Sequence, residues 1–111
     1  MTWGNGVFVA VASSGTGTRV QSSADGGVTW TLRISAADNQ WYGVTFGAGL
    51  FVAMAQDGFP NQVQTSDNGT TWTSQSSAAN NNWMAVTYGG GTLVSVAQNG
   101  TINNQIMTSG P

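Results

Sequence analysis

The hydrophobic positions of the chain fall into short runs, and most of these runs are closed by a turn rich in glycine, asparagine or serine. Along the run from Leu50 to Gln56, apolar side chains occupy both alternating sets of positions, as in a β-strand buried on both faces. The runs from Val7 to Ala12 and from Leu93 to Gln98 have the same character. Short runs separated by turn residues predict strands, and therefore an all-β protein.

Four such runs form one unit, and polarity rises along it. In the middle unit the runs are Trp41 to Phe46, Leu50 to Gln56, Gln62 to Ser66, and Thr71 to Ser76. The third run alternates between apolar and polar residues, and the fourth is almost wholly polar. We therefore expect burial to fall from the first two strands to the fourth, as in a four-stranded sheet whose outer strand faces water.

The unit repeats with a period of 42 to 43 residues. Trp30 recurs 42 residues later as Trp72, and the segment Thr2 to Ala10 matches Thr45 to Ala53 at a spacing of 43. A four-stranded repeat of about 40 to 45 residues is the size of one β-propeller blade. The alternatives are a β-sandwich, which does not require such self-similarity, and a β-solenoid, whose coils are usually about 20 to 30 residues long.

At this period the 111 residues hold about 2.6 units. We expect a single partial propeller domain over residues 1–111, with blades at about 1–40 and 41–82 and an incomplete third at about 83–111. Propellers close with about four to eight blades, and an unclosed piece exposes its apolar inner strands. Self-assembly into a homo-oligomer would complete the ring, with a homodimer favoured and a trimer as the second possibility. The alternative is an excised or engineered fragment of a longer array that is complete as a monomer.

Two turns share the pattern Ser/Thr-x-Asp-x-Gly-x-Thr-Trp. The aspartate can accept hydrogen bonds from turn amides, the glycine can take a positive φ, and the tryptophan can bury its ring. These positions are Ser23, Asp25, Gly27 and Trp30 in the first turn and Thr65, Asp67, Gly69 and Trp72 in the second. Through them the chain resembles the Asp-box, or BNR-type, repeat β-propellers over essentially its whole length. The resemblance implies a structural role for these residues, and it leaves function open because sialidases, glycan-binding proteins, sorting receptors and photosystem assembly factors share the motif.

The composition excludes several functions. The chain has two Lys or Arg, four Asp or Glu, and no His or Cys. Thiolate or imidazole metal sites and nucleophile–histidine pairs are therefore excluded, and we expect neither a metal nor a cofactor. Two cations are too few to bind the phosphates of nucleic acid or an anionic membrane. We see no apolar run of about 18 residues and no leader at Met1, which predicts a soluble protein of unspecified compartment.

Hydrolysis of a glycosidic bond would need acidic residues that the chain scarcely has. Sialidases use an arginine cluster and a tyrosine–glutamate pair, and this sequence contains no glutamate. Another glycosidase would place two carboxylates about 5 to 10 Å apart, and outside the two turns only Asp38 and Asp57 remain. Their counterparts are Asn80 and Asn99, so such a pair is not repeated. We expect a protein that is not an enzyme and keep glycoside hydrolysis as an alternative.

Two kinds of connection, from the fourth strand to the next first strand and from the second to the third, would share one rim of a ring. They carry amides, carboxylates and aromatic rings, the groups that bind the hydroxyls and C–H face of a neutral sugar. The candidate residues are Asp38, Asn39, Trp41, Asp57, Phe59, Asn61, Asn80, Asn81 and Trp83. Several weak sites around a ring would act together, so we expect a multivalent, lectin-like glycan-binding module. The alternatives are ordinary loop residues with tryptophans packed between blades, and a scaffold without a ligand.

Overall fold

The computed structural model describes residues 1–100 and 105–109, which form eleven β-strands and no helix. The first sheet contains β1 to β4, which are Thr2–Gly4, Val7–Val11, Val20–Ser23 and Thr31–Arg33. The middle sheet contains β5 to β8, which are Trp41–Gly47, Leu50–Ala55, Val63–Ser66 and Thr73–Gln75. The third sheet contains β9 to β11, which are Trp83–Gly89, Thr92–Ala97 and Ile106–Ser109. The all-β prediction is confirmed, while residues 101–104 and 110–111 of the expected third unit lie outside the described residues.

Every sheet is antiparallel, and each strand pairs with its neighbour in the sequence. The first and second strands of each sheet are joined by a two-residue turn in which both residues have positive φ, the geometry that matches the twist of a hairpin. These turns are Asn5-Gly6, Ala48-Gly49 and Gly90-Gly91. The repeat seen in the sequence is therefore a repeat of one hairpin-based sheet.

Burial within the middle sheet differs in one respect from the expected gradient. The two central strands, β6 and β7, are the most buried, and the outer strand β8 is mostly exposed. The first strand, β5, is only partly buried, with Tyr42 exposed. The reason is position in the sheet: β5 and β8 are its two edges, whereas β6 and β7 have a strand on either side.

The middle sheet packs between the other two, because alternate residues of its strands point to opposite faces. One face forms a core with the first sheet that includes Val9, Val20, Trp41, Phe51, Ala53 and Trp72. The other face forms a core with the third sheet that includes Val52, Met54, Val63, Trp83, Leu93 and Met107. The doubly apolar sequence of Leu50–Ala55 thus reflects one strand that serves two sheet-to-sheet joints.

At the end of the first strand of a sheet, a glycine lies directly against an aromatic ring of the next sheet. A Cβ placed on Gly4 would lie 2.6 Å from Cδ1 of Phe46, and one placed on Gly47 would lie 2.5 Å from Cδ2 of Tyr88. These separations are well below the 3.5 to 4.0 Å, approximately, of an ordinary carbon–carbon contact. We call each pair a glycine–aromatic contact; the same contact holds the first sheet to the middle one and the middle one to the third.

Candidate ligand-binding rim

The two kinds of connection meet at one end of the sheets, which we call the rim. The backbone N–H of Gln56 donates to the carbonyl of Gln40 at 3.1 Å, and the N–H of Gln40 donates to Oδ1 of Asp57 at 2.7 Å. The same two hydrogen bonds recur one unit later among Asn82, Gln98 and Asn99. The carboxylate of Asp57 and its counterpart amide therefore hold the connections together.

Trp41 and Trp83 are not on the rim surface. Their side chains are 1% and 0% exposed, and each indole Nε1 donates to a backbone carbonyl, of Ala37 and Ala79 respectively, at 3.1 Å. Each ring fills the core between two adjacent sheets. Because a ring without an exposed face cannot stack on a sugar, the hypothesis that these tryptophans contact a ligand is wrong, and their role is packing.

Asn39 and Asn81 are also buried, at 7% and 3% exposure. The Asn39 amide donates from Nδ2 to the carbonyl of Asn61 at 2.8 Å and lies against Gly58. The Asn81 side chain lies against Gly100 in the same way, since a Cβ there would be 2.6 Å from Asn81 Oδ1. Both asparagines brace the neighbouring connection, which corrects their assignment as ligand-binding residues.

Asp38 lies on the rim surface and is held by the connection of the first sheet. Its Oδ1 accepts from the N–H of Gly17 at 2.7 Å and lies 3.8 Å from Nε of Arg19. The Arg19 guanidinium also donates to the carbonyls of Gly15, at 2.5 Å, and Asn39, at 2.8 Å. Arg19 is a rim residue that the sequence reasoning missed; its position in a second-to-third connection was the available signal.

Five of the nine candidate residues remain exposed at the rim, and two of them are Asp38 and Asp57. The Phe59 side chain is 52% exposed, and Asn61 and Asn80 are exposed amides. The connection that carries Phe59 touches the next fourth-to-first connection, where the N–H of Ser77 donates to the carbonyl of Pro60 at 2.9 Å. The Phe59-Pro60 peptide bond is cis. Among the candidate residues, the rim therefore presents one aromatic ring, two neutral amides and the carboxylates of Asp38 and Asp57.

The first of the two Ser/Thr-x-Asp turns has the expected hydrogen bonds. The Asp25 carboxylate accepts from the Thr29 hydroxyl at 2.5 Å, from the Thr29 N–H at 2.9 Å and from the Ser23 hydroxyl at 2.8 Å. These bonds, first of all the one from the Thr29 hydroxyl, lower the pKa of Asp25 from 3.8 to about 2. Trp30 closes the turn by donating from Nε1 to the carbonyl of Gly27 at 3.1 Å.

In the second turn the accepting residue is Asn68, not Asp67. Asn68 Oδ1 accepts from the N–H groups of Thr70 and Thr71 at 2.8 and 3.0 Å, while Asp67 is exposed. Ser66 likewise takes the position assigned to Thr65, accepting from the Gly69 N–H at 2.8 Å. The assignment of Thr65 and Asp67 is therefore corrected. The cause is length, because the second turn has one residue fewer between its serine and its tryptophan.

The two turn tryptophans differ sharply in burial. Trp72 is 8% exposed and packs beside Phe51, with ring centroids 6.4 Å apart, in the joint between the first and middle sheets. Trp30 is 38% exposed and lies beside Phe8 on the face of the first sheet that no other sheet covers. Equivalent residues are thus buried where a sheet lies before them and exposed where none does.

A groove of 510 Å³ opens between the middle and third sheets. Its walls are apolar or neutral, and they include Leu50, Val52, Met54, Val86, Leu93 and Met107. None of the described residues that line it is titratable. Across residues 1–100 and 105–109, no cluster of three or more acidic, histidine or cysteine residues could hold a metal ion.

The sequence matches no model of a known protein family and no curated protein. In the part of the chain that the structure describes, no helix has the length and apolar character needed to cross a membrane.

Proposed function

We propose that the chain is a non-enzymatic, self-assembling module whose three sheets are neighbouring blades of a β-propeller, with further copies completing the ring. The observation that carries this proposal is the repetition of one sheet-to-sheet joint. Both joints bury the same positions of the repeat, and the corresponding positions at the two ends of the chain are exposed. The chain therefore ends in two different apolar faces, each of which matches one half of a joint.

The end face of the first sheet carries Trp3, 59% exposed, and Trp30, 38% exposed. The end face of the third sheet carries Val96, 44% exposed, and Ile106, 64% exposed. Exposed contiguous apolar surface of this kind usually marks a site of interaction with another protein. Since two different faces are involved, the contact is head-to-tail, and such contacts produce closed rings when the rotation closes.

The number of sheets favours a homodimer. Three sheets per chain give six in two copies, which lies within the range of about four to eight for closed propellers, whereas three copies give nine. The turn hydrogen bonds around Asp25 and Asn68, with the positive φ of Gly27 and Gly69, support the resemblance to Asp-box propellers. The alternative is that further sheets of a longer chain fill the same positions, in which case the ring is a monomer.

Multi-angle light scattering across a dilution series tests the assembly. We expect twice the mass of the chain at concentrations of tens of micromolar, with dissociation on dilution. Dissociation should be accompanied by a lower midpoint of urea unfolding, because association stabilises the folded chain by covering the end faces. A single-copy mass together with a urea midpoint that does not depend on concentration would refute the proposal.

Glycan binding is the second candidate, and the observation that favours it is the half-exposed ring of Phe59 beside exposed amides. An aromatic face and neutral amides suit the C–H surface and hydroxyls of an uncharged sugar. An array of neutral glycans probed with the intact assembly tests it. Phe59→Ala should abolish binding, whereas Leu32→Ala, which removes an apolar side chain 60% exposed on an outer strand, should not. Binding that survives Phe59→Ala would exclude this site.

A further inference from the structure

Each first strand ends in an aromatic residue followed by a glycine, and the chain has three such pairs: Trp3-Gly4, Phe46-Gly47 and Tyr88-Gly89. Inside the chain they interlock in order, with the ring of Phe46 on Gly4 and the ring of Tyr88 on Gly47. One ring and one glycine of these three pairs make no such contact within the described residues. The side chain of Trp3 is 59% exposed, and a Cβ placed on Gly89 would meet no described atom within 4 Å. One unused ring and one unused glycine thus lie at opposite ends of the chain.

The side chains around these two residues also match. In the joint between the first and middle sheets, Phe51 and Trp72 of the middle sheet pack with Val9 of the first. Their repeat counterparts are Phe8 and Trp30 on the free face of the first sheet. The counterpart of Val9 is Val94 on the third sheet. Neither set contains a charged residue, so no buried charge opposes their association.

We propose that Trp3 of one copy packs over Gly89 of a second copy, forming a third glycine–aromatic contact that joins the third sheet of one chain to the first sheet of the other. This contact presupposes the proposed assembly and names the residues that hold it together. The occupant is a second copy because the two free faces are the two halves of a joint that the chain already makes twice. The larger indole is accommodated because the space over Gly89 is open.

The proposed contact requires a glycine at position 89, whereas a general apolar attraction would not. A glycine is needed at position 89 because a side chain there would occupy the space of the incoming ring, just as it would at Gly47. The backbone of Gly89 imposes no such need, since its φ lies outside the left-handed region. Within one chain, a larger residue at position 89 is therefore tolerated, and its effect is confined to association.

Sedimentation equilibrium of three single variants tests the contact. Trp3→Ala removes the ring, and Gly89→Leu fills the space that receives it; each should weaken association by about 30-fold or more, as for a central tryptophan in an interface. Ala24→Leu, which adds the same side chain in an exposed turn, is the matched control and should leave association unchanged. Tryptophan fluorescence and urea unfolding of each variant below its dissociation constant verify that the single chain still folds.

Disulfide trapping gives a second, independent readout, because the chain contains no cysteine. A Trp3→Cys chain mixed with a Gly89→Cys chain should form a covalent dimer under mild oxidation, while neither chain alone should form one at the same rate. The internal pair Gly47→Cys with Tyr88→Cys is the positive control. A Cβ at position 47 would lie nearest to Cγ of Tyr88, the ring carbon that is bonded to the Tyr88 Cβ. The Cβ atoms of positions 47 and 88 are therefore close enough for a disulfide.

The outcomes separate this contact from the proposed function. Weakened association in both Trp3→Ala and Gly89→Leu, with a trapped mixed dimer, supports the contact. A wild-type dimer that either variant leaves intact overturns the contact and leaves assembly standing, through another surface. A wild-type chain that is monomeric at every concentration overturns the assembly and the contact together.

Discussion

A matched pair of glycine-to-alanine substitutions tests the packing on which the whole arrangement depends. Gly47 and Gly89 occupy the same position of the repeat, both outside the left-handed φ region. They differ in one respect: Tyr88 lies on Gly47, whereas nothing described lies within 4 Å of a Cβ on Gly89. Gly47→Ala should therefore destabilise the protein, and Gly89→Ala should not.

The magnitude follows from the distances. With a methyl group on Gly47, even Cδ2 of the Tyr88 ring would lie 2.5 Å away, about 1 Å inside ordinary contact. Because the half-buried ring of Tyr88 lies against Gly47, it must shift to make room for the methyl group, and such overpacking costs about 1 to 3 kcal/mol. Replacing glycine by alanine also lowers the conformational entropy of the unfolded chain, which stabilises the protein by about 0.4 to 1 kcal/mol at either position. The entropy contribution is the same at both positions, so Gly47→Ala should be less stable than Gly89→Ala by about 1 to 3 kcal/mol, with a net loss of up to roughly 2.6 kcal/mol for Gly47→Ala and a small gain for Gly89→Ala.

Urea unfolding followed by tryptophan fluorescence measures both changes. The measurements are made in a Trp3→Ala background, so that the proposed contact between copies does not enter the comparison. A double-mutant cycle with Tyr88→Ala should show a favourable coupling of about 1 kcal/mol or more, because removal of the ring relieves the strain. Equal free energies of unfolding for the two alanine variants would refute the close approach of Tyr88 to Gly47 and with it the repeated joint.

Three further substitutions address the rim and the turns. Trp83→Ala should lower the free energy of unfolding by about 3 to 5 kcal/mol, because a fully buried ring is lost; a change in ligand binding without a change in urea unfolding would contradict this. Asn39→Ala should cost about 1 to 3 kcal/mol in the same assay, because its bond to the Asn61 carbonyl braces the connection; an unchanged midpoint would show that the bond is dispensable. Asp25→Asn should preserve the turn, since Asn68 serves in the second one. Because the pKa of Asp25 is lowered, the stabilisation by its carboxylate is present above pH 3.8 and is lost as the pH falls towards about 2. Asp25→Asn should therefore lack this part of the acid sensitivity. Identical acid-unfolding profiles of the variant and the wild type would refute this expectation.

The period and strand content could be predicted from the sequence because each depends on local patterns. Doubly apolar runs require two covering layers, and the turns Asn5-Gly6 and Gly90-Gly91 consist of residues that tolerate positive φ, whereas Ala48, in the turn of the middle sheet, does so less readily. The shift from Asp67 to Asn68 could not be found by aligning tryptophans alone. The spacing is 42 residues at the tryptophans but 43 at the serines, and only the hydrogen bonds show that the missing residue lies inside the turn.

The orientation of the rim side chains could not be predicted from the sequence, for a different reason. Trp41 begins an edge strand, so the sequence alone does not show whether its ring faces solvent or the core. In the structure its indole donates to the carbonyl of Ala37 in the neighbouring connection, and the ring is buried. Asn39 and Asn81 have the composition of a ligand-binding loop, yet their side chains pack against glycines of the adjoining connection. A side-chain amide in a loop is therefore evidence of a binding site only where the nearby backbone groups are already hydrogen-bonded to other partners and do not need that amide.

The corrected rim changes how many ligand sites the proposal allows. With Trp41 and Trp83 buried, Phe59 is the exposed ring among the candidates, so repetition of the unit within one chain no longer supplies several equivalent sites. If sugars bind, each chain offers the Phe59 site once, and multivalency arises from assembly. Avidity then depends on copies held at fixed separation. Loss of the dimer through Trp3→Ala should weaken binding to a dense glycan surface and leave the affinity for a single free sugar unchanged.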